Sequence, residues 1–177
     1  MNQAALTGRN IVITRPLGQA HRLSSLIQEA GGNARLFPLL EIVPLADYQQ
    51  FDEKTAQLHQ FDWAIFISSN AVQNSLPRMT EKLGSVPNKL KFAAIGPKTA
   101  ADLAEFGIQN TLTPQDRFDS EALLDLAGMQ HIKNQKVLIF RGIGGREVGL
   151  ANVEQHALRA VKRVVHHALH GGATGDA

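Results

Sequence analysis

Cysteine is absent from all 177 residues, which excludes disulfides, thiolate metal sites and a cysteine nucleophile. Long apolar runs are absent too: none approaches the length needed to span a bilayer. The N-terminus, M-N-Q-A-A-L-T-G-R-N, lacks the apolar core of a signal peptide. Charge of one sign is scarce. A formal net charge of +2 is too small for a nucleic-acid protein without a concentrated basic face. No G-K-[ST] tripeptide exists for a phosphate loop, and no H-E-x-x-H for a zinc site. These absences predict a cytoplasmic chain with no metal, no membrane and no nucleic acid. What is left, 44% hydrophobic and 19% charged, is the composition of an ordinary soluble protein. The length suffices for one good core, or for a complete lobe and part of another.

What is present is a repeated unit, seen best from Phe92 to Gly107. Phe92 to Gly96 reads as a buried strand closed by glycine. Pro97 suits the first helical position, because it has no amide proton to lose there and its φ is already near the helical value. Ala100, Leu103, Ala104 and Phe106 make an apolar helical face, and Gly107 ends it where a left-handed residue is wanted. The sequence is strand, polar turn, helix. Free amides in the first helical turn favour anions, and Lys98 and Thr99 add a charge and a hydroxyl.

The same grammar recurs along the chain. Ile11 to Ile13 is a strand ending at Thr14-Arg15-Pro16, followed by a helix carrying Ala20, Leu23, Ile27 and Ala30 and closed by Gly31-Gly32. Residues 36 to 45, L-F-P-L-L-E-I-V-P-L, predict an extended segment. Tyr48 to Gln60 is weakly helical. Trp63 to Ile67 is apolar throughout, as parallel strands covered on both faces are. Ser68-Ser69-Asn70 offers capping chemistry for a helix that Pro77 kinks or ends. Thr111 to Pro114 predicts a short strand, Asp119 caps a helix through Leu123, Leu124 and Ala127, and Val137 to Phe140 is a strand running into Arg141-Gly142-Ile143-Gly144-Gly145-Arg146. Beyond Glu147 a helix is predicted, with Val153, Ala157, Leu158 and Val161 aligned. Strands alternating with helices predict an α/β protein with parallel sheets, whose ligands bind beyond the carboxyl ends of the strands.

Thr14, Arg15, Ser68, Ser69, Asn70, Gly96, Lys98, Thr99, Arg141, Gly142, Gly144, Gly145 and Arg146 all fall at such ends. Each has a plain alternative as a cap or a solvated turn residue. The glycine turn is either an anion site flanked by two arginines or only a tight turn. It fails the dinucleotide fingerprint, whose third glycine would fall at Glu147. His166 and His170 have the spacing of a helical metal pair, yet no acidic residue accompanies them. Asp62 and Asp119 have no partners identifiable from sequence, and no catalytic residue can be named.

Taken together, T-R-P after the first strand, F-P-L-L-E-I, F-D-W-A-I-F-I-S-S-N-A-V, A-A-I-G-P-K-T-A-A-D-L, D-S-E-A-L-L and V-L-I-F-R-G-x-G-G-R-E resemble the uroporphyrinogen-III synthase family, from about Ile11 to Glu147. The resemblance implies two flavodoxin-like parallel lobes with the substrate, hydroxymethylbilane, between them. It implies closure of that linear tetrapyrrole to uroporphyrinogen III, with ring D inverted and water lost, as in heme biosynthesis, without cofactor or metal. Residues 1–36 would be the first strand-helix unit of an incomplete lobe, 37–45 the connection, 46–150 a complete lobe and 151–177 an atypical, partly helical tail. The chain would then be truncated or frame-shifted, poorly active, and self-associating through the incomplete lobe. The only tyrosine, Tyr48, lies in the wrong segment to match the family's own. The alternative is a non-catalytic flavodoxin-like module for a small anion or nucleotide.

Overall fold

A computed structural model describes residues 4–143 and, as backbone, residues 161–171. The chain divides into two compact units, Met1–Val43 with Leu169–Ala177, and Pro44–Ala168. In the first, β1 (Asn10–Ile13) leads through a 3-10 turn to α1 (His21–Glu29) and then to β2 (Asn33–Leu36), which pairs parallel with β1. This is one β-α-β unit. Gly31, at φ +81, closes the helix. A Cβ there would come within 2.6 Å of the Ala4 Cβ, so only glycine fits both the angle and the space. The core of this unit is small, built on Ile13, Ala20 and Ile27. Leu23, aligned with them by sequence, is instead exposed. β3 (Leu40–Val43) makes the expected extended segment after Pro38.

The second unit begins with α2 (Gln49–Ala56) and continues through β4 (Trp63–Phe66), α3 (Ser69–Leu83), β5 (Lys91–Ala94), α4 (Pro97–Glu105), β6 (Thr111–Leu112), α5 (Ser120–Asp125), β7 (Val137–Ile143) and β8 (Val161–Gly171) as far as Ala168. The strands stand in the order β8-β7-β4-β5-β6, and every described pairing is parallel. Successive side chains of a strand face opposite sides of a sheet. Ala64, Phe66, Phe92, Ala94, Leu138 and Phe140 therefore share one face, packed with Val72, Leu76, Met79 and Leu103 of α3 and α4. Trp63, Ile65, Ala93, Val137 and Ile139 share the other, with Leu123 and Leu124 of α5. Both faces are covered, which is why these strands read as unbroken apolar runs. Phe66 and Phe140 are register partners, and their rings stack at 4.4 Å between centroids.

Several local expectations hold. Pro97 opens α4, and Gly107 stands at φ +84 just past its end. Asp119 caps α5 through the Ala122 amide at 2.8 Å, although that helix stops at Asp125, short of Ala127. Asp62 has a partner after all: its Oδ2 accepts from the Lys136 amide at 2.7 Å, pinning the start of β4 to β7.

Three expectations are overturned. Pro77 does not end α3, which runs on to Leu83; the packing of Leu76 and Met79 on either side of it outweighs one lost helical hydrogen bond. The tail is not helical over Val161–Gly171, where β8 pairs parallel with β7 from Val137 beside Val161 onward. Val161–His167 is also rich in β-branched residues, and sheet pairing decides between two conformations its sequence permits. His166 and His170, one turn apart in a helix, lie about 13 Å apart along a strand, so the helical metal pair disappears. Finally, β7 continues past Phe140 through Arg141, Gly142 and Ile143, so these residues form strand where a turn was expected. Val153, Ala157 and Leu158 lie outside the described residues.

Candidate functional site

The strand order places the site. From β4 the chain moves outward to β5 and β6, then returns to β7 on the other side of β4. The order reverses between β4 and β7, and polar turns lead from the carboxyl ends of β4 and β5 into α3 and α4. At the end of β4, Ser68 takes an extended backbone (φ −165, ψ 160) and its Oγ accepts from the Ala71 amide at 3.1 Å. This is the capping role expected of one residue in the Ser68-Ser69-Asn70 group. Ser69 and Asn70, half-buried beside it, exceed what the cap requires.

At the end of β5 the turn is tighter. Gly96 is the residue before α4, and no side chain caps this helix. The amides of its first turn are left for an external acceptor. Ile67, Ile95, Gly96, Pro97, Lys98, Thr99 and Phe118 line an open concavity of about 340 Å³ here. Gly96 is buried against Phe118, whose Cβ and Cγ lie 3.4 Å from where a Gly96 side chain would begin. Thr99 is only 6% exposed yet reaches the lining. Lys98 Nζ donates to Asp102 Oδ1, one helical turn along. The Asp102 side chain is 1% exposed, against 75% for Lys98. An uncapped helix start, a cation and a hydroxyl around an apolar floor can hold a carboxylate on an organic skeleton.

A second charge cluster serves the fold. Arg78 grips Asp52 with two hydrogen bonds of 2.6 Å, tying α3 to α2, and its guanidinium lies 4.3 Å from the Tyr48 ring centroid. The hydrogen bond from Arg78 holds the Asp52 carboxyl below the usual carboxylate range, against the opposing effect of burial and with further help from Lys82. Asp119 is likewise held low, chiefly by the Ala122 amide it caps.

Of the residues predicted from sequence, Gly96, Lys98 and Thr99 meet in the concavity, and Ser68, Ser69 and Asn70 follow Ile67 of its lining. Arg141 is a buried β7 residue, 5% exposed, in strand and not in the expected turn, and its Nε donates to the Gly142 carbonyl at 3.2 Å. Gly142 is half-buried in the same strand. Gly144, Gly145 and Arg146 lie outside the described residues. Thr14 and Arg15 are exposed after β1 of the first unit, where the Thr14 carbonyl accepts from the Leu39 amide. Sequence reasoning missed Phe118 and Asp102. Phe118 was findable as the one aromatic in the polar stretch Gln115–Glu121. Asp102 carried a weaker signal, an acid on the helical face that holds Leu103.

Comparison with known proteins agrees with this architecture. The family model of uroporphyrinogen-III synthase HemD matches residues 21–167. The match passes Glu147, where the likeness was expected to stop, and takes in most of β8. Uroporphyrinogen-III synthase of Escherichia coli is 34% identical over 139 residues, 78% of this chain and 56% of that protein. The Proteus mirabilis enzyme is 31% identical, covering 82% of this chain and 73% of its own. A uroporphyrinogen III synthase structure from Thermus thermophilus superposes with a TM-score of 0.69 at 15% identity, over 93% of this chain and 64% of that one; at that identity it speaks for the fold alone. The chain spans little more than half the length of the Escherichia coli relative. On the family match and these identities, the chain belongs to the uroporphyrinogen-III synthase family.

Proposed function

We propose that this chain acts in the closure of hydroxymethylbilane to uroporphyrinogen III, with Ser69, Asn70, Lys98 and Thr99 on the substrate-binding wall and no cofactor. The observation that carries the reading is the uncapped start of α4 opening into an apolar concavity beside Lys98. A substrate with eight carboxylates on four pyrrole rings needs both features: anion acceptors for the side chains, and an apolar floor for the rings. In the reaction, protonation of the hydroxymethyl group releases water and leaves an azafulvenium cation. The substituted carbon of ring D attacks it, giving a spiro intermediate that reopens and recloses with ring D inverted. One proton is consumed and one returned, so water is the net loss. The work left to the protein is to hold the folded chain and supply a proton, and neutral hydroxyls suit that better than a strong base. The cytoplasm, where small anionic intermediates are exchanged, suits such a step.

The test is chromatography of the porphyrin isomers formed from hydroxymethylbilane with and without the chain. Because the bilane closes unaided to the non-inverted isomer, the measure is the isomer ratio. Enrichment of the type III isomer, lost in Lys98→Ala, supports the reading. The unaided ratio, together with no calorimetric binding of uroporphyrin III, rejects it. Binding of inorganic phosphate in preference to carboxylates favours the flavodoxin-like anion module instead.

We also infer that the chain self-associates through its first unit. Val12, Leu17, Leu23, Leu26, Leu36, Phe37, Leu39 and Leu40 are between 36% and 63% exposed. Eight such side chains within about thirty residues approach the apolar content of a protein interface. A second copy offers the matching surface. Sedimentation of wild type against Leu36→Lys/Phe37→Lys tests this, and equal monomeric profiles over a hundredfold concentration range would refute it.

A further inference from the structure

The Lys98–Asp102 contact is costly on its face. Asp102 is 1% exposed, and while its Oδ1 accepts from Lys98, its Oδ2 is buried with no hydrogen-bond partner among the described residues. An orphaned carboxylate oxygen in a packed interior is unfavourable; an apolar residue in its place removes the penalty, and an amide lowers it by burying no charge. Its partner gives little back, since the Lys98 side chain is 75% exposed and exposed ion pairs stabilise weakly. The pair is therefore poorly explained by stability. It is well explained by location: Lys98 and Thr99 line the concavity, on the one helix start there that lacks a side-chain cap.

We propose that Asp102 is a positioning residue, a buried carboxylate that folds Lys98 back along α4 and holds its ammonium at the mouth of the concavity to take a carboxylate of the substrate. A free lysine on the surface samples many rotamers, and binding must freeze them; a lysine already tied by its end to a buried anchor has surrendered that freedom before the ligand arrives. The ammonium has three protons, so donating one to Oδ1 leaves two for an incoming carboxylate, alongside the free amides of the first turn. Thr99, buried at the same turn, adds a hydroxyl from the wall. This deepens the proposed function and rests on it for the identity of the ligand, but not for the existence of the anion subsite.

The experiment uses the whole chain with two probes: glutarate, read by the shifts of the Lys98 and Thr99 backbone amides, and uroporphyrin III, read by calorimetry. In wild type, glutarate moves both amides. Asp102→Asn keeps the side-chain shape and removes the charge. It should melt at the same temperature or higher, yet bind glutarate about three- to tenfold more weakly, the effect of immobilising one long side chain on binding. Lys98→Ala should lose at least as much affinity, and the double variant no more than Lys98→Ala alone, because Asp102 acts through Lys98. A purely structural Asp102 gives the reverse pattern, lower melting and unchanged affinity, which overturns the proposal. So does equal or tighter binding by Asp102→Asn, additive losses in the double variant, or amides that glutarate does not move in wild type. If glutarate binds as described and uroporphyrin III does not, the positioning role stands and the tetrapyrrole reading falls.

Discussion

Ser68 holds two roles that can be pulled apart. Its Oγ accepts from the Ala71 amide at 3.1 Å and caps α3, while the residue itself sits at the end of β4, beside the concavity lining. Loss of a serine cap costs about 1 kcal/mol, and replacement by glycine only a few tenths. For a unit of this size about 1 kcal/mol moves the melting temperature by about 4 °C. Ser68→Ala should therefore melt about 4 °C lower than wild type, and Ser68→Gly about 1 °C lower. Ser68→Asp is the informative variant. Aspartate caps as well as serine, and its charge suits the start of α3, adding about 0.3–1 kcal/mol. Its stability should equal or exceed wild type. The same charge faces any carboxylate bound at this edge of the sheet. A like charge at this edge opposes a bound carboxylate and should weaken its binding. The assays are thermal melting by circular dichroism and calorimetric titration with uroporphyrin III. Ser68→Asp melting well below wild type would refute the cap. Ser68→Asp binding the porphyrin as wild type does would remove the end of β4 from the substrate wall.

Three further outcomes follow from the packing. Phe140→Ala empties half of a ring stack in the buried core and should cost about 3–5 kcal/mol in urea unfolding, whereas Phe118→Ala, 52% exposed in wild type, should leave the urea midpoint nearly unchanged and weaken uroporphyrin III binding. The ion pair between Asp52 and Arg78 lowers the Asp52 carboxyl in the folded state, so its contribution is complete above about pH 5 and drains as pH falls through that lowered value; Asp52→Asn should flatten the acid limb of the stability curve, and an unchanged limb would show that the pair contributes nothing. Gly107→Ala meets open space at φ +84 and should cost about 1 kcal/mol for the backbone alone, while Gly31→Ala adds the collision with Ala4 and should cost more; the opposite ranking in chemical denaturation would contradict the geometry.

Much of this protein was legible in the residues themselves. Unbroken apolar strands ending in small polar residues, with proline or a hydroxyl at the next helix start, specify parallel strand-turn-helix units because each signal acts over a few residues: φ of proline, αL freedom of glycine, hydrogen bonds of a cap. Hence Pro97, Ser68 and Gly107 stood where the pattern put them, the strands expected at 63–67 and 92–96 formed at Trp63–Phe66 and Lys91–Ala94, and Gly96, Lys98 and Thr99 met in one concavity. Tertiary structure decided what depends on a distant partner. Val161–Gly171 became a strand because β7 offers it a pairing edge, and local propensity there supports helix or strand alike. Arg141 and Gly142 became strand for the same reason, with Arg141 buried in the sheet. α3 ran through Pro77 because its neighbours pack on a covered sheet face. Phe118 joined the concavity only when the loop before α5 was brought to the end of β5. Burial and proximity of that kind are properties of the folded chain, and no pattern of neighbouring residues encodes them.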